Sequence, residues 1–188
     1  MNSGPDHDRD PSLAGVEIGI FPLRLFLTVA MPIYFAFGSN LHPPQMAERC
    51  PGSRLLRPGV LKGYRLAFTG YSTRWKGGVA TVVADPSSEV QGLLYDLTEE
   101  DQGKLDRFEG FPTVYARLRV SVEGRDGNLH AAMTYQKQSN GATAPSLRYF
   151  HQIWKAYRAF QLDEAFLLKA VEDALDGNFE PMPEAPPP

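Results

Sequence analysis

One cysteine, Cys50, is present in the whole chain, so no disulfide can form within it. The four histidines (His7, His42, His130, His151) are scattered, and none sits at zinc-ligand spacing with the cysteine. A reducing compartment and a reaction without a metal are the expectations that follow. An excess of one charge is also missing. The formal net charge is −3, with acids and bases interspersed. That leaves no basic footprint for nucleic acid and no polybasic patch for a membrane surface. The apolar stretch Ile18–Leu27 is interrupted by Pro22 and Arg24 and is too short to span a bilayer. It follows a polar, acidic run, Asp6–Asp10, whereas a secretory signal starts basic. The chain also lacks internal repeats, a domain linker, and a phosphate-cradling loop of the Walker or dinucleotide type.

What remains is an ordinary globular composition. The chain has 188 residues, 43% of them hydrophobic, which suits one domain with a real core. Residues 1–30 read as a poorly ordered extension, with a cleaved or organellar leader as the other reading and Met31 as an alternative start. Residues 31–178 read as a single domain. Residues 179–188 read as a Pro-rich tail that cannot continue a helix.

Within the domain, Ile33–Phe37 is a short apolar run that predicts a buried strand, stopped by Gly38-Ser39-Asn40. Pro43-Pro44 suits the first turn of a short helix through Arg49. Val60–Thr69 alternates as a strand should. Gly77–Ala84 and Val90–Leu97 predict two further strands joined by a turn at Asp85-Pro86-Ser87-Ser88. Thr98 is a helix cap with acids after it, and Gly110 is the stop. Val114–Val122 and Leu129–Gln136 predict a hairpin, and Ser139–Pro145 a loop. Ser146 and Asp163 cap two last helices, the first with an aromatic face and the second running from Glu164 to Leu175. Strands come first and helices last, which argues for an α+β fold: a small closed or bent sheet with helices outside.

Two segments carry chemistry. In Tyr34–Leu41 a strand runs into Gly38-Ser39-Asn40, where glycine allows positive φ and asparagine tolerates it. Such a turn can aim backbone N–H groups into one concavity that binds a carboxylate or an oxyanion. A plain strand-to-helix loop is the alternative. In Leu105–Pro112, Glu109 sits in the last helical turn between Phe108 and Phe111. Desolvation and the negative helix end would both raise its pKa toward the range a base needs. The alternative is a solvated Glu109, or one paired with Arg107 or Arg117. Ser39 lacks a nucleophile-elbow context, and Cys50 reads as an ordinary small residue. Trp75-Lys76-Gly77-Gly78 either lines a pocket or marks close backbone approach. Tyr149, Trp154 and Tyr157, at helical spacing, read as core.

Taken together, the segments resemble a family. Tyr34-Phe35-Ala36-Phe37-Gly38-Ser39-Asn40-Leu41 is similar to the opening motif of gamma-glutamylcyclotransferases. Trp75–Thr81 resembles the family's Gly-Gly-x-Ala-Thr strand. Leu105–Gly110 with Tyr115 resembles its catalytic segment, and Pro145–Tyr149 its later Pro-Ser-x-x-Tyr segment. The four occur in order across residues 31–175. The resemblance implies a mixed barrel-like sheet with flanking helices. It implies Glu109 as proton acceptor, and Tyr34, Phe35, Ala36, Phe37, Gly38, Ser39 and Asn40 as the substrate cavity, largely through their backbone, with Tyr149 as a further contact. The implied activity is cytoplasmic and cofactor-free: a γ-glutamyl group cyclises to 5-oxoproline as its own α-amine attacks. The expected partner is that small-molecule γ-glutamyl substrate, with no nucleic acid, membrane or metal, and a homodimer is left open. A γ-glutamylamine-type substrate and a non-catalytic binding role are the alternatives. Phe37 stands where the family usually has tyrosine, so a hydroxyl is missing there.

Overall fold

The computed structural model describes residues 32–138 and 141–177. The expected N-terminal extension and Pro-rich tail lie outside the described residues, as do Ser139 and Asn140 of the expected loop. Five strands form a closed barrel in the order β1-β3-β2-β4-β5. The strands are β1 (Ile33–Ala36), β2 (Arg54–Ser72), β3 (Gly77–Asp96), β4 (Tyr115–Gly124) and β5 (Leu129–Lys137). Neighbours pair antiparallel, except that β1 meets β5 in parallel with Tyr34 opposite Met133. That pairing removes both sheet edges and makes the barrel mixed. Four helices flank it: α1 (Pro43–Arg49), α2 (Glu99–Glu109), α3 (Leu147–Ala159) and α4 (Glu164–Leu175). The expected α+β barrel-like sheet is the fold observed.

One expectation is corrected. Gly77–Ala84 and Val90–Leu97 are not two strands joined by a turn but one strand, β3, that runs through Asp85–Ser88. The local turn chemistry is real, since Ser87 N–H donates to Asp85 Oδ1 at 3.0 Å. The chain nevertheless keeps its direction. The register against β2 passes from Lys62 opposite Glu89 to Tyr64 opposite Ala84, so Asp85–Ser88 bulges opposite Gly63, whose φ is +79°. A bulge bends and twists the ladder, and β2 stays paired on both sides of it.

The core fills the barrel and the space beneath the helices. Phe35, Phe68, Leu93, Leu94, Leu105, Ile153 and Leu167 are fully buried. Each such side chain contributes about 1.5–3 kcal/mol by leaving water. The helix caps are those the sequence predicts. Thr98, Ser146 and Asp163 accept backbone N–H bonds from Asp101, Tyr149 and Ala165. Gly110 ends α2 at φ +67°, in the left-handed region.

Candidate active site

β1 delivers its residues alternately to the two sides of the sheet. Tyr34 reaches a surface cavity of about 380 Å³, while Phe35 is fully buried in the core. After β1 the chain makes a tight 3-10 turn over Ser39–Leu41, with Leu41 N–H donating to Gly38 O at 3.0 Å. Gly38 is not left-handed as expected: its φ is −109°. Glycine eases a close approach there instead. An added Cβ would lie 3.1 Å from Tyr149 Oη and 3.2 Å from the Ala80 Cβ. Tyr149 Oη accepts the Ala80 N–H at 3.2 Å. Burial pushes its hydroxyl up to about 12. With that donor on its oxygen, the phenol has its own proton left to donate.

Glu109 is the last residue of α2. Its side chain is 15% exposed. Asn40 Nδ2 donates to its Oε1 at 3.2 Å, and Arg49 Nη1 lies 3.6 Å from the same oxygen. Burial raises its pKa above the usual carboxylate range, against the opposing pull of Arg49, Asn40 and Lys137. The holding frame is itself tied down. Asn40 Nδ2 also donates to Tyr34 Oη at 2.9 Å, and Asn40 Oδ1 accepts from Arg49 Nη1 at 2.7 Å and from Gln45 Nε2 at 3.2 Å. Gln45 Nε2 donates to Ser39 Oγ at 2.9 Å, and Gln152 Nε2 donates to Gln45 Oε1 at 2.6 Å. Ser39 Oγ therefore meets an amide rather than an imidazole, and no activated serine arises. Cys50 is fully buried, with its thiol pushed up to about 12 by burial, which makes it unreactive.

The surroundings of Glu109 differ from the sequence reading. Phe111 does not line the cavity with it, and Phe108, which does, is 53% exposed. Each instead underlies a guanidinium, Arg49 at 5.1 Å from the Phe108 ring and Arg117 at 4.7 Å from the Phe111 ring. Arg117 does not pair with Glu109 either. It forks onto Asp106, with Nε 2.9 Å from Oδ1. The true partner, Arg49, is sixty positions away in the chain (109 − 49) and comes from α1.

Of the expected site residues, Tyr34, Phe37, Gly38, Ser39, Asn40, Glu109 and Tyr149 line the one cavity. Phe35 and Ala36 do not; both are fully buried. Residues 34–156 match the family described as "Gamma-glutamyl cyclotransferase, AIG2-like". The chain belongs to this family. Among its cyclotransferase relatives, the Mus musculus gamma-glutamylcyclotransferase is 29% identical over 147 residues, which cover 74% of this chain and 78% of the mouse protein. The Homo sapiens gamma-glutamylcyclotransferase is 28% identical over 122 residues, 62% of this chain and 65% of its own. A solved gamma-glutamyl cyclotransferase superposes with TM-score 0.68 at 25% identity, over 80% of this chain and 88% of its own. A glutathione-specific gamma-glutamyl cyclotransferase from yeast shares the fold, with TM-score 0.56 at 11% identity and coverage of 78% and 96%.

Other cavity residues of this cyclotransferase-family chain were given no role by sequence reasoning: Arg49, Tyr135, Lys137 and, beyond its place in a motif, Tyr115. Burial raises the pKa of both tyrosines. Tyr135 Oη donates to Asp106 Oδ1 at 2.6 Å. Trp75 lines the cavity, with its ring 4.9 Å from that of Tyr149, while Gly78 sits where a Cβ would clash with Thr143 O at 1.9 Å. Both readings of the Trp75–Gly78 segment therefore hold, each for different residues. Trp154 and Tyr157 do not line the cavity; Tyr157 is fully buried core. Among the described residues no group of three or more His, Cys, Asp or Glu could hold a metal ion. No helix there is long and apolar enough to cross a membrane.

Proposed function

We propose that this protein converts a γ-glutamyl amino acid or peptide into 5-oxoproline and a free amine, with Glu109 as general base. The observation that carries the reading is the desolvated Glu109 carboxyl, held by Asn40 and Arg49 in the cavity that the Tyr34–Asn40 segment lines. The relatives' names point the same way.

In the proposed reaction the substrate's α-ammonium gives a proton to Glu109. The freed amine attacks its own γ-carbonyl, a new C–N bond closes the lactam ring, and the amide C–N bond breaks. Protonated Glu109 gives that proton to the departing nitrogen, then takes the second proton from the ring nitrogen and passes it on. The lactam N–H is then neutral, the product amine leaves as its ammonium, and the step balances with no external reagent. A raised carboxyl pKa suits both halves of that transfer. The nucleophile belongs to the substrate, so the chemistry calls on no cofactor. Orienting an intramolecular nucleophile is worth about 7–11 kcal/mol of barrier, and the closed barrel supplies rigid walls for it. The Tyr149 hydroxyl, whose oxygen accepts the Ala80 N–H, keeps its own proton to donate to a developing oxyanion. Backbone N–H groups of the turn near Gly38 and Ser39 are the further donors proposed for that oxyanion.

The test incubates purified protein with γ-glutamyl dipeptides, glutathione and γ-glutamyl-lysine and measures 5-oxoproline by mass spectrometry. Glu109→Gln is expected to fold and to lose about 10²–10⁴-fold in turnover. A Glu109→Gln variant that keeps the wild-type rate would remove the assigned role. Release from γ-glutamyl-lysine alone would move the assignment to a γ-glutamylamine-type substrate.

A further inference from the structure

Lys137 is the last residue of β5 and lines the cavity that contains Glu109. Its backbone is fixed to β3. The Lys137 N–H donates to Thr81 Oγ1 at 3.0 Å, and that hydroxyl lies 3.3 Å from the Lys137 carbonyl oxygen. The Thr81 side chain making these contacts is fully buried. The ammonium stands over the Tyr115 ring, 5.1 Å from its centroid. No described carboxylate lies at ion-pairing distance from it, whereas Arg49 has one. Arg74 and Arg107 also line the cavity without such a pair, but the cations that act on Glu109 are Arg49 and Lys137. Partial burial lowers the Lys137 pKa, and Glu109 is near enough to act against that shift. The cavity thus presents a cation and a carboxylate held on two different elements, β5 and α2.

We propose that Lys137 is the specificity-determining residue for the substrate's α-carboxylate, its ammonium and Glu109 together matching the two opposite charges borne by one α-carbon. The inference rests on the γ-glutamyl reading above. An α-carboxylate brought beside Glu109 without a counter-charge would repel it and oppose ionisation of the base. Lys137 offsets that repulsion. It also continues to hold the carboxylate after Glu109 has taken the proton and become neutral, so the α-carbon stays in place while its amine attacks.

The experiment compares γ-glutamyl-alanine with 4-aminobutanoyl-alanine, which differs only by lacking the α-carboxylate and cyclises to 2-pyrrolidinone. Wild type is expected to prefer the first by about 10–100-fold in kcat/KM, the range of a charge-assisted hydrogen bond. In Lys137→Met the preference should fall to near unity, with the change carried by KM, and Lys137→Arg should restore most of it. A preference unchanged in Lys137→Met overturns the proposal. That includes an equal loss on both substrates, which would place the leaving group's carboxylate at Lys137 instead. NMR titration with 5-oxoproline and 2-pyrrolidinone separates this failure from failure of the reaction itself. If wild type forms no lactam yet binds 5-oxoproline more tightly, and Lys137→Met abolishes the difference, the carboxylate anchor stands and the reaction assignment falls. Equal binding of the two lactams by wild type, or none of either, overturns the anchor.

Discussion

Glu109 is held between opposing forces. Burial disfavours its ionised form, and Arg49, Asn40 and Lys137 favour it, with burial prevailing. Two consequences follow at the scale of single residues. The acidic limb of the kcat/KM profile should lie above the usual carboxylate range, because the proposed reaction needs Glu109 ionised in the free protein. Asn40→Ala removes the donor that lowers the Glu109 pKa, so that limb should move to still higher pH; a pH profile of lactam release reads both. The same variant leaves Arg49 and Tyr34 short of a partner and should cost about 1–3 kcal/mol in urea unfolding. Stability is linked to this titration. A carboxyl whose pKa is raised on folding gives stability that is present below its unfolded pKa and lost as pH rises through its folded pKa. Glu109→Gln lacks that loss. The melting temperature of Glu109→Gln minus that of wild type should therefore increase as pH rises from the unfolded pKa through the folded one, measured by calorimetry across acidic to neutral pH.

At the scale of elements, the site depends on how α2 and α3 begin and end. Gly110 sits at φ +67°, and an added Cβ there would lie 2.9 Å from Val114 Cγ2. Gly110→Ala should cost about 1–2 kcal/mol for a left-handed non-glycine residue. It should also lower kcat, because Glu109 is the residue immediately before the stop. Ser146 caps α3 by accepting the N–H of Tyr149, the residue whose hydroxyl accepts the Ala80 N–H. Ser146→Ala should lower stability by about 1 kcal/mol in urea unfolding. These elements were legible because caps and stops are local chemistry: Thr98, Gly110, Ser146 and Asp163 each act within four residues of themselves. The Asp85–Ser88 bulge was not legible for the converse reason. An Asx turn looks the same in sequence whether the chain reverses or continues, and only the pairing of β2 with both halves of β3 distinguishes the two.

For the whole molecule, closure of the barrel is what brings the site together. β1 is four residues long and lies between β3 and β5, and the turn that follows it supplies Asn40 to Glu109. Gly92 on β3 permits that seam: a Cβ there would approach Ala36 O at 2.3 Å and the Phe35 ring at 2.7 Å. Gly92→Ala should displace β1. The expected result is a lower urea midpoint together with lost lactam release, a loss larger than the roughly 1 kcal/mol typical of single substitutions. A variant with wild-type midpoint and activity would show that the seam tolerates the change.

The sequence by itself determined the elements apart from the continuity of β3, the place of the turn after β1 and the position of Glu109 at a helix end. Strand alternation, capping and glycine stops are decided by neighbours in the chain. It also carried the family's motifs in order. Only the tertiary structure decided what surrounds Glu109. Arg49 arrives from α1 and Lys137 from the end of β5, while Phe111 turns away from the cavity beneath Arg117 and Phe108 lines it beneath Arg49. Phe35 and Ala36, inside the same motif as Tyr34, pack into the core. Burial and charge act through distance in space, and barrel closure sets those distances between residues that the chain keeps far apart.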